Sequence, residues 1–387
     1  MPEQASVHVG MVAAEASGDL LAAHLIEALR ERRPSLRFSG IGGPRMIAQG
    51  FESQVPMDKL GVRGYAEVLR RYREISGIRR EIAERFLRER PAAFIGVDSS
   101  DFNLGLERRL KDAGIPTIQY VSPSIWAWRG WRTRRILRSV NHILAIFPFE
   151  PALYEKQGLP VTYVGHPLAD LIPMEPDKSG ARAELRMPPG CRVVALLPGS
   201  RRSELHYMAE LFLKTARRLL QEVPQAHFVV PTASRETREL FEAARRREQF
   251  AGLPLTLLFG HSHEALSAAD IALVASGTAT LETALIKTPM VIAYRQSPLT
   301  SALMRRMAYL PYIGLPNILA GEALVPEFVQ EKATPEALAN ALLELLHDAG
   351  AQRRQVEKFH EIHVLLRQNT AQKAAEAVLA VIDAGGR

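Results

Sequence analysis

Ile271-Ala272-Leu273-Val274-Ala275-Ser276-Gly277-Thr278-Ala279-Thr280-Leu281-Glu282 sets an unbroken apolar run against a Ser-Gly-Thr turn and a stretch of helix formers. Its length and composition predict a buried parallel strand over Ile271 to Ala275, a tight turn, and a helix from Thr278 to Lys287. A helix beginning at such a turn presents backbone N–H groups and two hydroxyls at its positive end, which is a ready anion site with a diphosphate as its natural guest. Glu282 follows Thr278 by four residues, on the same helical face, in place to accept hydrogen bonds from ribose hydroxyls. A capped helix carrying an exposed glutamate would read the same way.

The strand-to-helix rhythm repeats on both sides. Upstream of it lie the strand Arg192 to Leu197, the helix Glu204 to Glu222, the strand Ala226 to Val230, a helix near Arg235 to Arg247, the strand Leu255 to Phe259 and a short helix near His263 to Ala268; downstream lies the strand Met290 to Tyr294. The first half alternates in the same way: Val7 to Ala13 with Leu20 to Arg30, Leu36 to Ile41 with Pro44 to Gln49, Ala92 to Val97 with Leu104 to Ala113, then Thr117 to Val121. Such βαβ alternation predicts parallel sheets covered by helices. The Pro-, Asp- and Glu-containing stretch Gly165 to Gly190 reads as a linker between two α/β domains, 1–170 and 171–355. The helical tail, Pro335 to His347 and then Val356 to Ala384, is expected to complete the second domain and, over about 356–387, to pack back on the first.

Composition narrows the class. A chain of 387 residues, 47% hydrophobic and 24% charged, buries more than one core. The single cysteine, Cys191, rules out an internal disulfide and points to a reducing compartment. The first ten residues read as a strand approach without a signal peptide, and nowhere do enough apolar residues follow one another to span a bilayer. Against 49 Lys and Arg stand 42 Asp and Glu, a net charge of +7 that suits an anionic partner without choosing between nucleic acid, phosphorylated substrate and anionic lipid.

Two further turns carry chemistry. Leu197-Pro198-Gly199-Ser200-Arg201-Arg202-Ser203-Glu204 couples small residues with Arg201 or Arg202, a permanent forked cation suited to phosphate oxygens and able to stabilise a departing diphosphate without metal. The strand Ala92 to Val97 ends in Asp98-Ser99-Ser100-Asp101-Phe102-Asn103, where Asp98 is the candidate general base; helix capping by Asp98 or Asp101 is the plain alternative. The turn Ala14-Glu15-Ala16-Ser17-Gly18-Asp19 lines an acceptor site or caps a helix through Ser17 or Asp19. Gly40-Ile41-Gly42-Gly43-Pro44 lacks the glycine spacing of a dinucleotide fingerprint, so no NAD is expected. Without an Asp-x-Asp pair or a His-Glu-x-x-His pattern, neither a cofactor nor a catalytic metal is expected.

All three tryptophans lie in Trp126-Ala127-Trp128-Arg129-Gly130-Trp131-Arg132, where aromatic residues interleaved with arginines suit base stacking, the boundary of a lipid ligand, or domain packing. Leu60 to Ile78 sets Val62, Tyr65, Val68, Leu69, Tyr72 and Ile75 among arginines, the pattern of an interfacial helix or equally of an ordinary core-facing one.

Taken in order, the Glu15 to Asp19 turn, Gly42-Gly43-Pro44-Arg45-Met46, Val97-Asp98-Ser99-Ser100-Asp101-Phe102-Asn103, Tyr120-Val121-Ser122-Pro123-Ser124-Ile125-Trp126-Ala127-Trp128, Val164-Gly165-His166-Pro167, Leu197-Pro198-Gly199-Ser200-Arg201 and Ala275 to Glu282 resemble the lipid-A-disaccharide synthase family, nearly from end to end. The resemblance implies a GT-B fold, two Rossmann-like doubly wound domains facing a central cleft. It implies an inverting glycosyltransferase that joins UDP-2,3-diacylglucosamine to 2,3-diacylglucosamine 1-phosphate, giving a β-1′,6-linked disaccharide and UDP. Carried onto these positions, Asp98 is the base. Ser200, Arg201, Gly260, His261, Ser276, Gly277, Thr278, Glu282 and Asn317 hold the UDP-sugar, and Glu15, Ser17, Asn103, Trp126 and Trp128 meet the acceptor. The implied setting is peripheral, at the cytoplasmic face of the inner membrane, as monomer or homodimer and without nucleic acid. A UDP-N-acetylglucosamine 2-epimerase would share the Ser-Gly-Thr turn but need no lipid acceptor, and a non-catalytic basic adaptor for membrane or nucleic acid would use the Trp/Arg segment alone.

Overall fold

The computed structural model describes residues 6–60, 65–125, 132–250, 252–297 and 311–385, with the side chains of 65–72 and 248 outside the description. The chain divides into two compact units, Met1–Asp170 with Leu366–Arg387, and Leu171–Leu365.

In the first unit, β1 (Val7–Ala13), β2 (Leu36–Gly42), β3 (Glu52–Pro56), β4 (Ala93–Val97), β5 (Thr117–Tyr120), β6 (His142–Ala145) and β7 (Val161–Tyr163) form one sheet in the order β3-β2-β1-β4-β5-β6-β7. Every pairing is parallel. The second unit carries β8 (Arg192–Leu197), β9 (Ala226–Thr232), β10 (Leu255–Phe259), β11 (Ile271–Ala275), β12 (Met290–Tyr294) and β13 (Glu327–Val329), again wholly parallel, in the order β10-β9-β8-β11-β12-β13. Each order is doubly wound. After β1 and after β8 the chain works outward in one direction, and after β4 and after β11 in the other. The crevice at the carboxyl ends of β1 and β4, and its counterpart at β8 and β11, is where such sheets bind ligands.

The central strands β4 and β11 are buried along their whole length, as a sheet covered by helices on both faces requires. Against the second sheet pack Leu205, Met208, Phe212 and Leu219 of the helix Arg202–Glu222, with Leu338 and Leu342 of Pro335–His347. In the first unit Ile78, Ile82 and Phe86 of the helix Tyr65–Glu89 join Phe102 and Leu106 in one core. Ile75 and Leu60 pack on that core too, so the apolar residues in the described part of the Leu60 to Ile78 stretch face the protein interior; residues 61–64 and the side chains of 65–72 fall outside the description. Among the described residues no helix is long and apolar enough to cross a membrane.

The Gly165 to Gly190 stretch is more than a linker. It contains the helices Pro167–Leu171 and Lys178–Glu184, the second capped by Asp177, whose carboxylate accepts the Gly180 N–H at 2.8 Å. Lys178 and Arg182 of that helix bind Asp270 at 2.7 and 2.8 Å, pinning it to the second unit. The tail is two helices, Ala349–Leu366 and Thr370–Gly385. Residues 356–365 lie within the second unit, and it is from Leu366 that the chain belongs to the first. There the Leu366 carbonyl accepts the His166 N–H at 2.9 Å, and the Asp170 carboxylate accepts the N–H groups of Asn369 and Thr370 at 3.0 and 2.7 Å. Arg32 and Arg33 then reach Glu376 and Asp383 on the last helix at 2.6 and 2.9 Å.

Candidate active site

In the second unit a cavity of about 450 Å³ opens at the β8/β11 crevice, lined by both turns singled out from the sequence: Gly199, Ser200 and Arg201 after β8, and Ser276, Gly277, Thr278 and Glu282 after β11. Gly277 sits at φ +150°, and a Cβ there would meet no atom within 4 Å, so only the backbone conformation calls for glycine. That conformation starts the helix Thr278–Leu285 with the N–H groups of Gly277, Thr278 and Ala279 uncommitted among the described residues. They are the orphan donors every helix start exposes, here directed at a cavity. The Ser276 hydroxyl is committed, donating to the Ile313 carbonyl at 2.8 Å.

The β8 turn works differently. Glu204 reaches back, and its carboxylate accepts the N–H groups of Ser200 and Arg201 at 3.0 and 3.2 Å. The backbone donors of this turn are spent, and the Arg201 side chain, 74% exposed and 3.6 Å from Glu204, is what remains to face an anion. Arg202 stands 3.5 Å from Glu236 and does not line the cavity, whereas Arg201 does, which decides between the two arginines. Glu282 lies with its carboxylate 3.8 Å from His263; burial pushes its pKa above the ordinary glutamate value and the imidazole pulls it back.

Gly260 lines the cavity, but His261 does not. His261 instead caps the helix Ser262–Ala268 at φ +54°, its ring 3.7 Å from Glu264. With Glu184 these two place three ligand-type atoms within 4.8 Å of one another, the one group among the described residues spaced for a metal ion, with Glu184 and His261 exposed. Asn317 is also displaced from its expected role. It is 1% exposed, donates to the Val325 carbonyl and to Glu327, and accepts the Val325 N–H, each at 2.8 Å, so its amide is buried and both its N–H groups are spent within the protein. Glu327 in turn accepts the N–H groups of Ile313 and Gly314 at 2.9 Å. Asn317 thus braces the loop whose carbonyl holds Ser276. The sequence reading passed over the end of β9, where Pro231, Thr232 and Ala233 complete the wall with Ser262; strand-end position was the available signal.

In the first unit the β1/β4 crevice brings Asp98, Glu15 and Ser17 together. Burial pushes the Asp98 carboxyl above the ordinary aspartate range; hydrogen bonds from the Ser99 backbone and, more weakly, from the Ser17 hydroxyl oppose the shift, while the Glu15 carboxylate adds to it. Asp98 and Ser99 are both left-handed, at φ +52° and +38°. The helix begins at Ser100 with no side-chain cap, so neither aspartate caps it; Asp101 instead pairs with the buried Arg132.

Asn103 is not an acceptor contact. It is fully buried and donates to the carbonyls of Asp98 at 3.0 Å and Val97 at 3.4 Å, because its place on the first turn of the helix aims it back under the strand end. Asp19, the last residue of the Glu-Ala-Ser-Gly-Asp turn, accepts the N–H groups of Gly43, Arg45 and Met46 at 2.9, 3.0 and 3.1 Å and so secures the Gly-Gly-Pro-Arg-Met turn. Trp126 and Trp128 lie outside the described residues.

Two doubly wound units, each with a polar site at its switch point, define the class: a protein of GT-B fold. A solved structure of MurG from Acinetobacter baumannii superposes with a TM-score of 0.58 at 16% identity, over 97% of this chain and 99% of that one. The fold alone is shared more widely, since a UDP-GlcNAc 2-epimerase from Neisseria meningitidis bound to UDP-GlcNAc reaches 0.61 at 10% identity over 97% and 98% of the two chains. Residues 9–381 match the family model described as lipid-A-disaccharide synthetase, and the lipid-A-disaccharide synthase of Azoarcus sp. (strain BH72) is 58% identical over 96% of this chain and 95% of its own. The chain belongs to the lipid-A-disaccharide synthase family.

Proposed function

We propose that this glycosyltransferase moves a 2,3-diacylglucosamine unit from its UDP form onto the 6-hydroxyl of 2,3-diacylglucosamine 1-phosphate, releasing UDP and the β-1′,6-linked disaccharide 1-phosphate. The observation that carries the reading is the raised carboxyl of Asp98 beside Glu15 and Ser17 at one switch point, with a separate anion-binding turn at the other. A carboxylate shifted toward neutrality is the stronger base, suited to take the proton of an attacking hydroxyl as that oxygen closes on the anomeric carbon. The leaving diphosphate gathers charge as the bond breaks. The N–H groups of Gly277, Thr278 and Ala279 and the Arg201 guanidinium stabilise that charge, the preorganised donor arrangement that contributes most to such steps. Glu282 takes the ribose hydroxyls, Gly260 lies toward the uracil, and Ser200 flanks the phosphates. One displacement with inversion suffices, as with inverting glycosidases.

The first unit, 1–170 with the returning tail, is the acceptor side, with Trp126 and Trp128 among the acceptor-binding residues; the second, 171–355, is the donor side. The reading places the protein peripherally at the cytoplasmic face of the inner membrane, as monomer or homodimer. Incubation of the protein with acylated donor and acceptor, followed by mass spectrometry, is expected to yield the disaccharide. Epimer formed from UDP-N-acetylglucosamine alone would overturn the reading. Asp98→Ala is expected to lower disaccharide formation by roughly two to four orders of magnitude, the usual worth of a general base. UDP affinity by calorimetry should stay unchanged; its collapse would overturn the assignment of donor and acceptor sides.

A further inference from the structure

Beneath Asp98 lies a polar cluster that no part of the mechanism above uses. The Asp98 carbonyl accepts two side-chain amides, Asn103 Nδ2 at 3.0 Å and Gln119 Nε2 at 2.9 Å. Gln119 also donates to Tyr120 and Val121 at 3.3 and 3.2 Å. Both amides are fully buried, and they hold an uncommon backbone: Asp98, Ser99 and the β-branched Val121 all take positive φ, the last at +75°. Left-handed conformations at such residues are strained and persist only where the surroundings over-determine them. The third member is Glu107, one helical turn beyond Asn103 on the same face and fully buried. A Cβ at Gly96 would overlap its carboxyl, and Gly96 pairs in register with Gln119, so all three side chains crowd one spot under the end of β4. Among the described residues, Asn103 Oδ1, Gln119 Oε1 and both Glu107 oxygens have no hydrogen-bond donor.

We propose that Asn103, Gln119 and Glu107 form a buried brace that fixes Asp98 in its left-handed turn and so aims its carboxyl at the acceptor hydroxyl. The inference rests on Asp98 being the base. Glu107 serves the brace as the neutral acid: an ionised carboxylate fully buried and without a hydrogen-bond donor among the described residues is costly, whereas a protonated one has a proton to offer the unpaired amide oxygens of its neighbours. Burial alone drives its pKa well above the ordinary glutamate value. Around Asp98 the charged neighbour is Glu15, and the hydroxyl of Ser17 is its donor. Asn103, Gln119 and Glu107 are positioning residues, acting on the substrate only through Asp98.

Gln119→Met keeps the length and apolar volume of the side chain and removes its donors. With the turn relaxed, the Asp98 carboxyl is carried away from the acceptor hydroxyl and from the Ser17 hydroxyl that opposes its upward shift, so kcat is expected to fall about tenfold, KM for both substrates to stay, and the acid limb of the kcat–pH profile to move to higher pH. UDP affinity and a cooperative melt serve as controls on folding. A folded Gln119→Met variant with unchanged kcat and acid limb overturns the brace. If Asp98→Asn proves as active as the parent protein, it is the assignment of the base that fails instead. Glu107→Gln tests the neutral acid independently. Keeping the acid protonated costs more as pH rises above its unfolded value, so the variant should melt higher than the parent at pH 8, with the gap closing toward pH 5. A variant that melts lower at pH 8 overturns the role given to Glu107.

Discussion

Gly277 and Arg201 show how little side chain the donor site uses. At φ +150° an alanine at position 277 fits the space and strains the backbone, so Gly277→Ala would turn the N–H groups of 277 to 279 away from their common focus. UDP binding measured by calorimetry is expected to weaken by roughly ten- to a hundredfold, and the melting temperature to fall by about a few degrees, because the left-handed backbone strains alanine even at a position open to solvent. Arg201→Ala should weaken donor binding by a similar factor, about that of a charge-assisted contact, and Arg202→Ala should not, since Arg202 does not line the cavity. Equal losses in both arginine variants would show that only general basicity matters there. The distinction lay beyond the sequence, where the two arginines are adjacent and chemically identical.

At the scale of elements, β13 and the helix Leu315–Ala320 act as one clamp. Glu327 accepts from Ile313, Gly314 and Asn317, and the Ile313 carbonyl holds Ser276. Glu327→Ala is therefore expected to raise the KM for the UDP-sugar several-fold and to leave the acceptor KM unchanged in steady-state assays. Several strands were legible before the fold was known: β1, β8, β10, β11 and β12 span the stretches expected of them. The strands β3, β6, β7 and β13 were not. Their three to five residues mix polar with apolar side chains, and what makes them strands is a hydrogen-bonded neighbour supplied from elsewhere in the chain. The helices inside Gly165 to Gly190 were hidden for a related reason. Asp177 and Pro167 read locally as turn residues, and only Asp270 shows what Lys178 and Arg182 are for.

Across the whole molecule, buried titratable groups shape stability against pH in opposing ways. Burial drives the pKa of His166 down to about 4, and lowers those of His8, His142 and His227 as well. The unfolded chain binds a proton at each histidine near pH 6.5, while the folded His166 resists until about 4. Stability from this residue is thus complete above about pH 6.5 and lost as pH falls toward 4, by at most about 3 kcal/mol. Thermal melts at pH 7.5 and pH 5 should show the drop, and His166→Gln should reduce it; an equal drop in the variant would assign the effect to other groups. By itself the sequence determined the two doubly wound units, the turns at their switch points and the family. Apolar runs, turn residues and ordered motifs are properties of neighbours along the chain. Only the tertiary structure decided which polar groups of those motifs are free to act. Asn103, Asn317, Asp19 and the backbone donors of Ser200 and Arg201 are committed within the protein, while the N–H groups of Gly277 to Ala279 and the Arg201 guanidinium face a cavity. A hydrogen bond is saturated by whatever the fold brings within reach, and those partners lie up to 27 residues away in sequence.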